Sequence, residues 1–164
     1  MEAVNRPGTM RAFLFTDIAG STALWEQFPE AMERAYQRHD AMLREAAVAH
    51  GGVVFKVIGD AFQVAFPTPI QALRAAIEAQ RQLVTEPWPL PHSLWVRMAL
   101  HTGEIAPDEA GDYRSPMLNR LGRLLGAGHA GQILLSGAMA ASVRDCLPLD
   151  GSVIELGRYR LRDL

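Results

Sequence analysis

The amino-acid sequence predicts an α+β sandwich of the ferredoxin-like type, an antiparallel-rich sheet with helices packed on one side. Three observations carry that reading. Strand-like and helical stretches follow one another as β-α-β-β-α-β-α-β, with further strand candidates near the end. Two of the strand-like runs flank Gly59-Asp60, a two-residue loop of the kind that joins antiparallel strands. With 164 residues and 49% hydrophobic content, the chain can build one domain with a real core.

Taken in order, residues 1–9 read as a flexible leader, and residues 10–164 as one domain without internal repeats. Met10 to Thr16 is apolar enough for a buried strand. From Ser21 to His50, apolar residues such as Leu24, Phe28, Met32, Ala35, Met42 and Ala46 recur at helical spacing. Pro29 interrupts or kinks this run, and Gly51-Gly52 ends it. Val53 to Ile58 and Ala61 to Phe66 are strand-like. Pro67 and Pro69 lead into a helix over about Ile70 to Val84, and Pro87, Pro89 and Pro91 mark the loop after it. Leu94 to His101 predicts a strand, and Thr102 to Gly111 a polar loop. Ser115-Pro116 reads as an N-cap followed by proline at the first helical position, opening a helix to about Leu125 that stops near Gly126 or Gly128. Gln132 to Leu135 is a short strand and Gly137 to Arg144 a short helix. Val153 to Leu156 and Tyr159 to Leu161 are the last strand candidates.

Composition removes several function classes. A formal net charge of −2 argues against a nucleic-acid binder that works by neutralising phosphates. Cys146 is the only cysteine, which excludes an intrachain disulfide and a cysteine-based zinc cluster and suits a reducing, cytoplasmic setting. No apolar run is long enough to span a bilayer and the N-terminus carries no signal-peptide core, so no membrane contact is expected from this segment. His39, His50, His92, His101 and His129 lack metal-ligand spacing, Ser21 has no triad partners, and no GxxxxGK[ST] loop is present.

The residues with chemical potential lie at element ends. In Phe15-Thr16-Asp17-Ile18-Ala19-Gly20-Ser21-Thr22, a carboxylate sits where a strand ends and a helix begins. Gly20 permits a tight turn, and Ser21 and Thr22 are good helix caps. Main-chain N–H groups at a helix start attract phosphate, and a carboxylate beside them attracts a divalent metal. On its own, Asp17 reads also as a turn or capping residue. Asp60 lies at a hairpin tip and needs no function there, unless the sheet brings Asp17 beside it to form a two-metal site. Lys56 is the only lysine and interrupts an apolar strand, where by alternation it shares a face with Val54 and Ile58. It is either a functional charge or an edge residue whose ammonium reaches water. Asn119 and Arg123, four apart on the third helix, share one face near Gly122 and Gly126, which reads as a ligand face or as a solvated polar stripe. Asp112, in the preceding loop, says nothing alone.

Taken together, the motifs resemble the catalytic domain of class III nucleotidyl cyclases, the adenylate and guanylate cyclases, whose fold is of the palm type. The matching segments are Phe15 to Thr22, Phe55-Lys56-Val57-Ile58-Gly59-Asp60-Ala61-Phe62, His101-Thr102-Gly103-Glu104, Gly111 to Leu124 and Gly131 to Ser136. The resemblance implies that Asp17 and Asp60, with the Ile18 carbonyl, hold two divalent cations, Mg2+ or Mn2+. It implies that Lys56 and Asp112 read the purine, and that Asn119 and Arg123 orient the ribose and stabilise the transition state. Gly20, Ser21 and Thr22 would meet the phosphates. The site is expected between two chains of a head-to-tail homodimer, with ATP as substrate. Lysine donates and aspartate accepts, which fits adenine N1 and N6; guanine presents the opposite pattern, a mismatch of several kcal/mol in a desolvated site.

The chain departs from the family pattern at two places. Ala19 stands where glutamate is common, and the segment ending at Leu164 lacks the usual following strand and a lysine for the triphosphate, leaving Arg162 as the substitute. The expectation is therefore an adenylate cyclase segment of a longer signalling protein. A degenerate nucleotide-binding or dimerisation module is the alternative. A diguanylate cyclase is disfavoured by the missing Gly-Gly-Asp/Glu-Glu-Phe signature.

Overall fold

The computed structural model describes residues 8–161. Its first strand, β1 (Thr9–Ile18), is buried on both faces. Ala12, Leu14 and Ile18 point to one side, and Phe13 and Phe15 to the other. This strict alternation of two apolar sets fits a central strand. A short helix α1 (Ser21–Gln27) and a long helix α2 (Pro29–Ala49) follow. The break falls at Phe28, whose φ of −136° and ψ of 55° are not helical, and Pro29 starts the second helix at its first position. The hairpin β2 (Val53–Ile58) and β3 (Ala61–Phe66) turns through Gly59-Asp60, with Gly59 at φ +59°. Next come α3 (Pro69–Thr85), β4 (Val96–Ile105) and α4 (Pro116–Ala127), the last capped by the Ser115 hydroxyl, which accepts from the Met117 N–H at 3.2 Å. β5 (Ile133–Leu135), α5 (Gly137–Val143) and one turn of 3-10 helix complete the elements.

The five strands form one sheet in the order β2-β3-β1-β4-β5. β1 pairs antiparallel with both β3 and β4, while β5 joins β4 in parallel, so the sheet is mixed. Two apolar cores lie on its two faces. The larger packs α1, α2, α3 and α5, through residues such as Leu24, Met42, Leu83 and Met139, against one face. The smaller packs Leu118, Leu121 and Leu125 of α4 against Phe13, Phe15, Ala65 and Ala99 on the other. The expected one-sided helix layer is thus corrected: α4 sits alone opposite the rest, because its Leu stripe meets the second apolar set of β1.

Other boundaries move for reasons of pairing. β1 begins at Thr9, inside the expected leader, and β4 runs on through the expected loop to Ile105, because Thr9 pairs with Ile105 and Arg11 with Gly103. Residues 1–7 lie outside the described part. Val153 to Leu156 and Tyr159 to Leu161 form no strand; Ile154 and Tyr159 are well exposed, and no neighbour supplies the ladder a strand needs. Among the described residues, no helix is long and apolar enough to cross a membrane.

Candidate active site

The two aspartates meet at one end of the sheet. β1 delivers Asp17 at its C-terminal end, and the β2–β3 turn delivers Asp60 beside it: the Ile18 N–H donates to Asp60 Oδ2 at 2.8 Å. The turn is braced from α2, where the Tyr36 hydroxyl donates to the Gly59 carbonyl at 3.0 Å. Asp17 is gripped by Arg97 of β4, directly opposite in register, through Nε–Oδ1 at 2.8 Å and Nη2–Oδ2 at 2.5 Å. That charge-assisted pair pushes the Arg97 pKa up. Two adjacent carboxylates are hard oxygen donors of the kind that hold Mg2+ or Mn2+ together with substrate phosphate oxygens, but here both Asp17 oxygens accept from Arg97, and among the described residues no third His, Cys, Asp or Glu joins the pair. Gly20 occupies the cap of α1 at φ +71°, so Ser21 and Thr22 fall in the first helical turn and make no capping bond, contrary to the expectation for them.

Of the other expected residues, Lys56, Asn119 and Arg123 line a cleft of about 640 Å3 on the α4 face. Lys56, Gln63 and Ile58 form its strand side; Ser115, Leu118, Asn119, Gly122 and Arg123 form its helix side. Lys56 reaches this face because of a β-bulge. Val54 stands opposite Val64, yet Lys56 stands opposite Gln63, so Phe55 is an extra residue. The expected shared face of Lys56 and Val54 is therefore wrong: the bulge turns Phe55 and Lys56 to the α4 side while Val54 packs on the opposite core. β2 is also an edge strand and the Lys56 side chain is partly exposed, which fits the edge reading of this residue.

Lys56 Nζ donates to Asp112 Oδ2 at 3.2 Å. This bond holds the Asp112 carboxyl below the usual carboxylate range; burial opposes it, while the Tyr113 N–H and the Lys56 and Arg114 charges add to it. The loop carrying Asp112 is fixed to the sheet by Tyr113, whose ring meets Phe13 edge-on at 5.1 Å and Phe55 at 5.0 Å. Asp17 and Asp60 are not among the residues lining the cleft.

The structure thus brings together Lys56 with Asp112, Asn119 with Arg123, and Asp17 with Asp60, in two separate places. Arg162 lies outside the described residues. Arg97 is the residue that sequence reasoning missed. Its signal was the one that drew attention to Lys56, a single charge inside an apolar strand run (Leu94 to Leu100).

The model of the adenylate and guanylate cyclase catalytic domain matches residues 8–147. An adenylate cyclase of Lachancea kluyveri is 33% identical over 88% of this chain, which covers 9% of that protein. An uncharacterised protein of Mycobacterium tuberculosis is 37% identical over 92% of this chain and 51% of its own length. The chain therefore spans a small part of the fungal relative and about half of the bacterial one. Among solved structures, an adenylate cyclase of Trypanosoma brucei in its monomeric state superposes with a TM-score of 0.87 at 26% identity, covering 99% of this chain and 88% of that one.

Proposed function

The chain belongs to the family of adenylate and guanylate cyclase catalytic domains, and from that premise we propose that it converts ATP into 3′,5′-cyclic AMP and pyrophosphate. The observation that carries the choice of ATP is the Lys56–Asp112 pair. An ammonium donor and a carboxylate acceptor, side by side, match adenine N1 and N6. Guanine would set a donor against the lysine and an acceptor against the aspartate, leaving both groups unpaired.

Each remaining residue has work suited to its type. The ribose 3′-oxygen attacks the α-phosphorus, its proton leaves to solvent, and the bond to the bridging oxygen of pyrophosphate breaks. Arg123 lines the cleft where its guanidinium can stabilise charge growing on the α-phosphate, and Asn119, one turn earlier on the same face, orients the ribose. Asp17, Asp60 and the Ile18 carbonyl would hold two divalent cations. Bound there, Mg2+ or Mn2+ would supply the charge that lowers the pKa of the attacking hydroxyl and neutralises the polyphosphate. Main-chain N–H groups of Gly20, Ser21 and Thr22 are offered to phosphate. Arg97, whose planar fork holds both oxygens of Asp17, fixes the direction of that carboxylate.

The aspartates do not line the cleft, which supports a site shared between two chains in a head-to-tail homodimer. A cytoplasmic setting is consistent with the lone Cys146.

The test is incubation of the purified chain with ATP and Mn2+ beside an Asp60→Ala control, with cyclic AMP identified by mass. Product that disappears in the control is the expected result. Faster turnover of GTP than of ATP refutes the substrate choice. Nucleotide binding without product at high protein concentration favours the binding-module alternative.

A further inference from the structure

The Asp112 loop is anchored unequally on its two sides. Downstream, Tyr113 is packed between Phe13 and Phe55. Upstream, Pro107, Asp108, Glu109, Ala110 and Gly111 are all exposed, so apolar packing cannot set the loop's shape there. Asp108 sets it instead. Its Oδ1 accepts from the Asp112 N–H at 2.9 Å and from the Ala110 N–H at 3.0 Å. Its own N–H donates to the Asp112 carbonyl at 2.8 Å, and its carbonyl accepts from the Gly111 N–H at 3.0 Å. Gly111, at φ +79°, makes the tight reversal possible. Oδ2 stands 3.7 Å from Arg114 Nε, which lies 3.8 Å from Asp112 Oδ2. Both peptide groups of Asp112 are therefore tied to Asp108, and its carboxylate is held by the Tyr113 N–H, which donates to Oδ1 at 2.8 Å.

We propose that Asp108 is a positioning residue for purine selection, acting through Asp112. The proposal rests on the reading of Lys56 and Asp112 as the purine pair. Rejection of the wrong base requires that its unpaired groups find no relief. An Asp112 free to swing away, or to admit water, gives that relief, so a looser loop costs selectivity more than overall binding. The carboxylate of Asp108 is the only side chain seen bonding to the Asp112 N–H among the described residues.

Calorimetric binding of 3′-deoxy-ATP and 3′-deoxy-GTP, which lack the attacking hydroxyl, tests this without turnover. In Asp108→Ala the preference for the adenine nucleotide is expected to fall about tenfold, the scale of one or two lost hydrogen bonds. Asp108→Asn keeps an oxygen acceptor for both N–H groups and is expected to hold the preference within about twofold of the unsubstituted chain. The proposal is overturned if Asp108→Ala keeps the preference, if Asp108→Asn loses it equally, or if Asp108→Ala melts more than about 10 °C lower, a purely structural effect. Asp112→Ala separates the two levels. If it abolishes the preference and Asp108→Ala does not, only the role of Asp108 falls. If it leaves the preference intact, the purine reading falls, and this proposal with it.

Discussion

Acid should unfold this protein through His39. The imidazole is fully buried in α2, packed edge-on against Phe62 at 5.6 Å and beside Tyr36 at 6.2 Å. Neither ring nitrogen has a hydrogen-bond partner among the described residues. Burial pushes its pKa from 6.5 to about 4, against the smaller opposing pull of Asp60 and Asp40. The folded state thus resists a proton that the unfolded chain accepts, so the unfolded state binds more protons between the two values, and stability rises with pH there. The contribution is complete above pH 6.5 and is lost as pH falls toward about 4. At about 1.4 kcal/mol per pH unit, that interval is worth about 3 kcal/mol, a large share of a typical domain's stability. Urea denaturation at pH 7.5 and 4.5, in buffer with a metal chelator, reads the loss as a midpoint shift of about 1–2 M. His39→Leu fills similar space and removes the titrating group, so it should lose about 2–3 kcal/mol less than the parent over the same interval. The carboxylates titrate alike in both proteins and cancel in that comparison. Equal losses in the two chains would refute the reasoning.

Two further outcomes are expected. Asp17→Ala and Arg123→Ala should each be nearly inactive, yet a mixture allowed to exchange subunits should regain about a quarter of full activity, because half the dimers then carry one intact site; no recovery despite proven exchange counts against a shared site. Gly52→Ala should cost about 1–3 kcal/mol in thermal or urea melts, because its new Cβ runs into the ring of the buried Phe66.

Local signals in the sequence were strong enough to order the elements. Pro29 marked the break at Phe28, and Ser115-Pro116 marked the start of α4, because caps and prolines act within a turn of the chain. What stayed hidden depends on partners far away in sequence. The length of β4 follows from its register with β1, and the run from Val153 onward is strand-like in composition without a ladder to join. The second core was hidden in the same way, since Phe13 and Phe15 alone do not tell which helix covers them. In the site, residue types and spacing left Asp17, Asp60, Lys56, Asn119 and Arg123 open between functional and structural readings, and only the family resemblance chose among them. The Arg97–Asp17 grip and the cleft's separation from the aspartates needed coordinates, because both depend on cross-strand neighbours.

The extra residue at Phe55 puts two successive side chains of β2 on the same side of the sheet. Phe55 meets Phe13 and Tyr113 there, and Lys56 meets Asp112. In a regular strand two neighbours face opposite ways. Removing Phe55 would restore that alternation and leave Lys56 opposite Gln63, so the ammonium would keep its side while the ring under Tyr113 would be lost. One irregularity in an edge strand thus lets two adjacent residues serve one loop, the first as its floor and the second as its ionic tether.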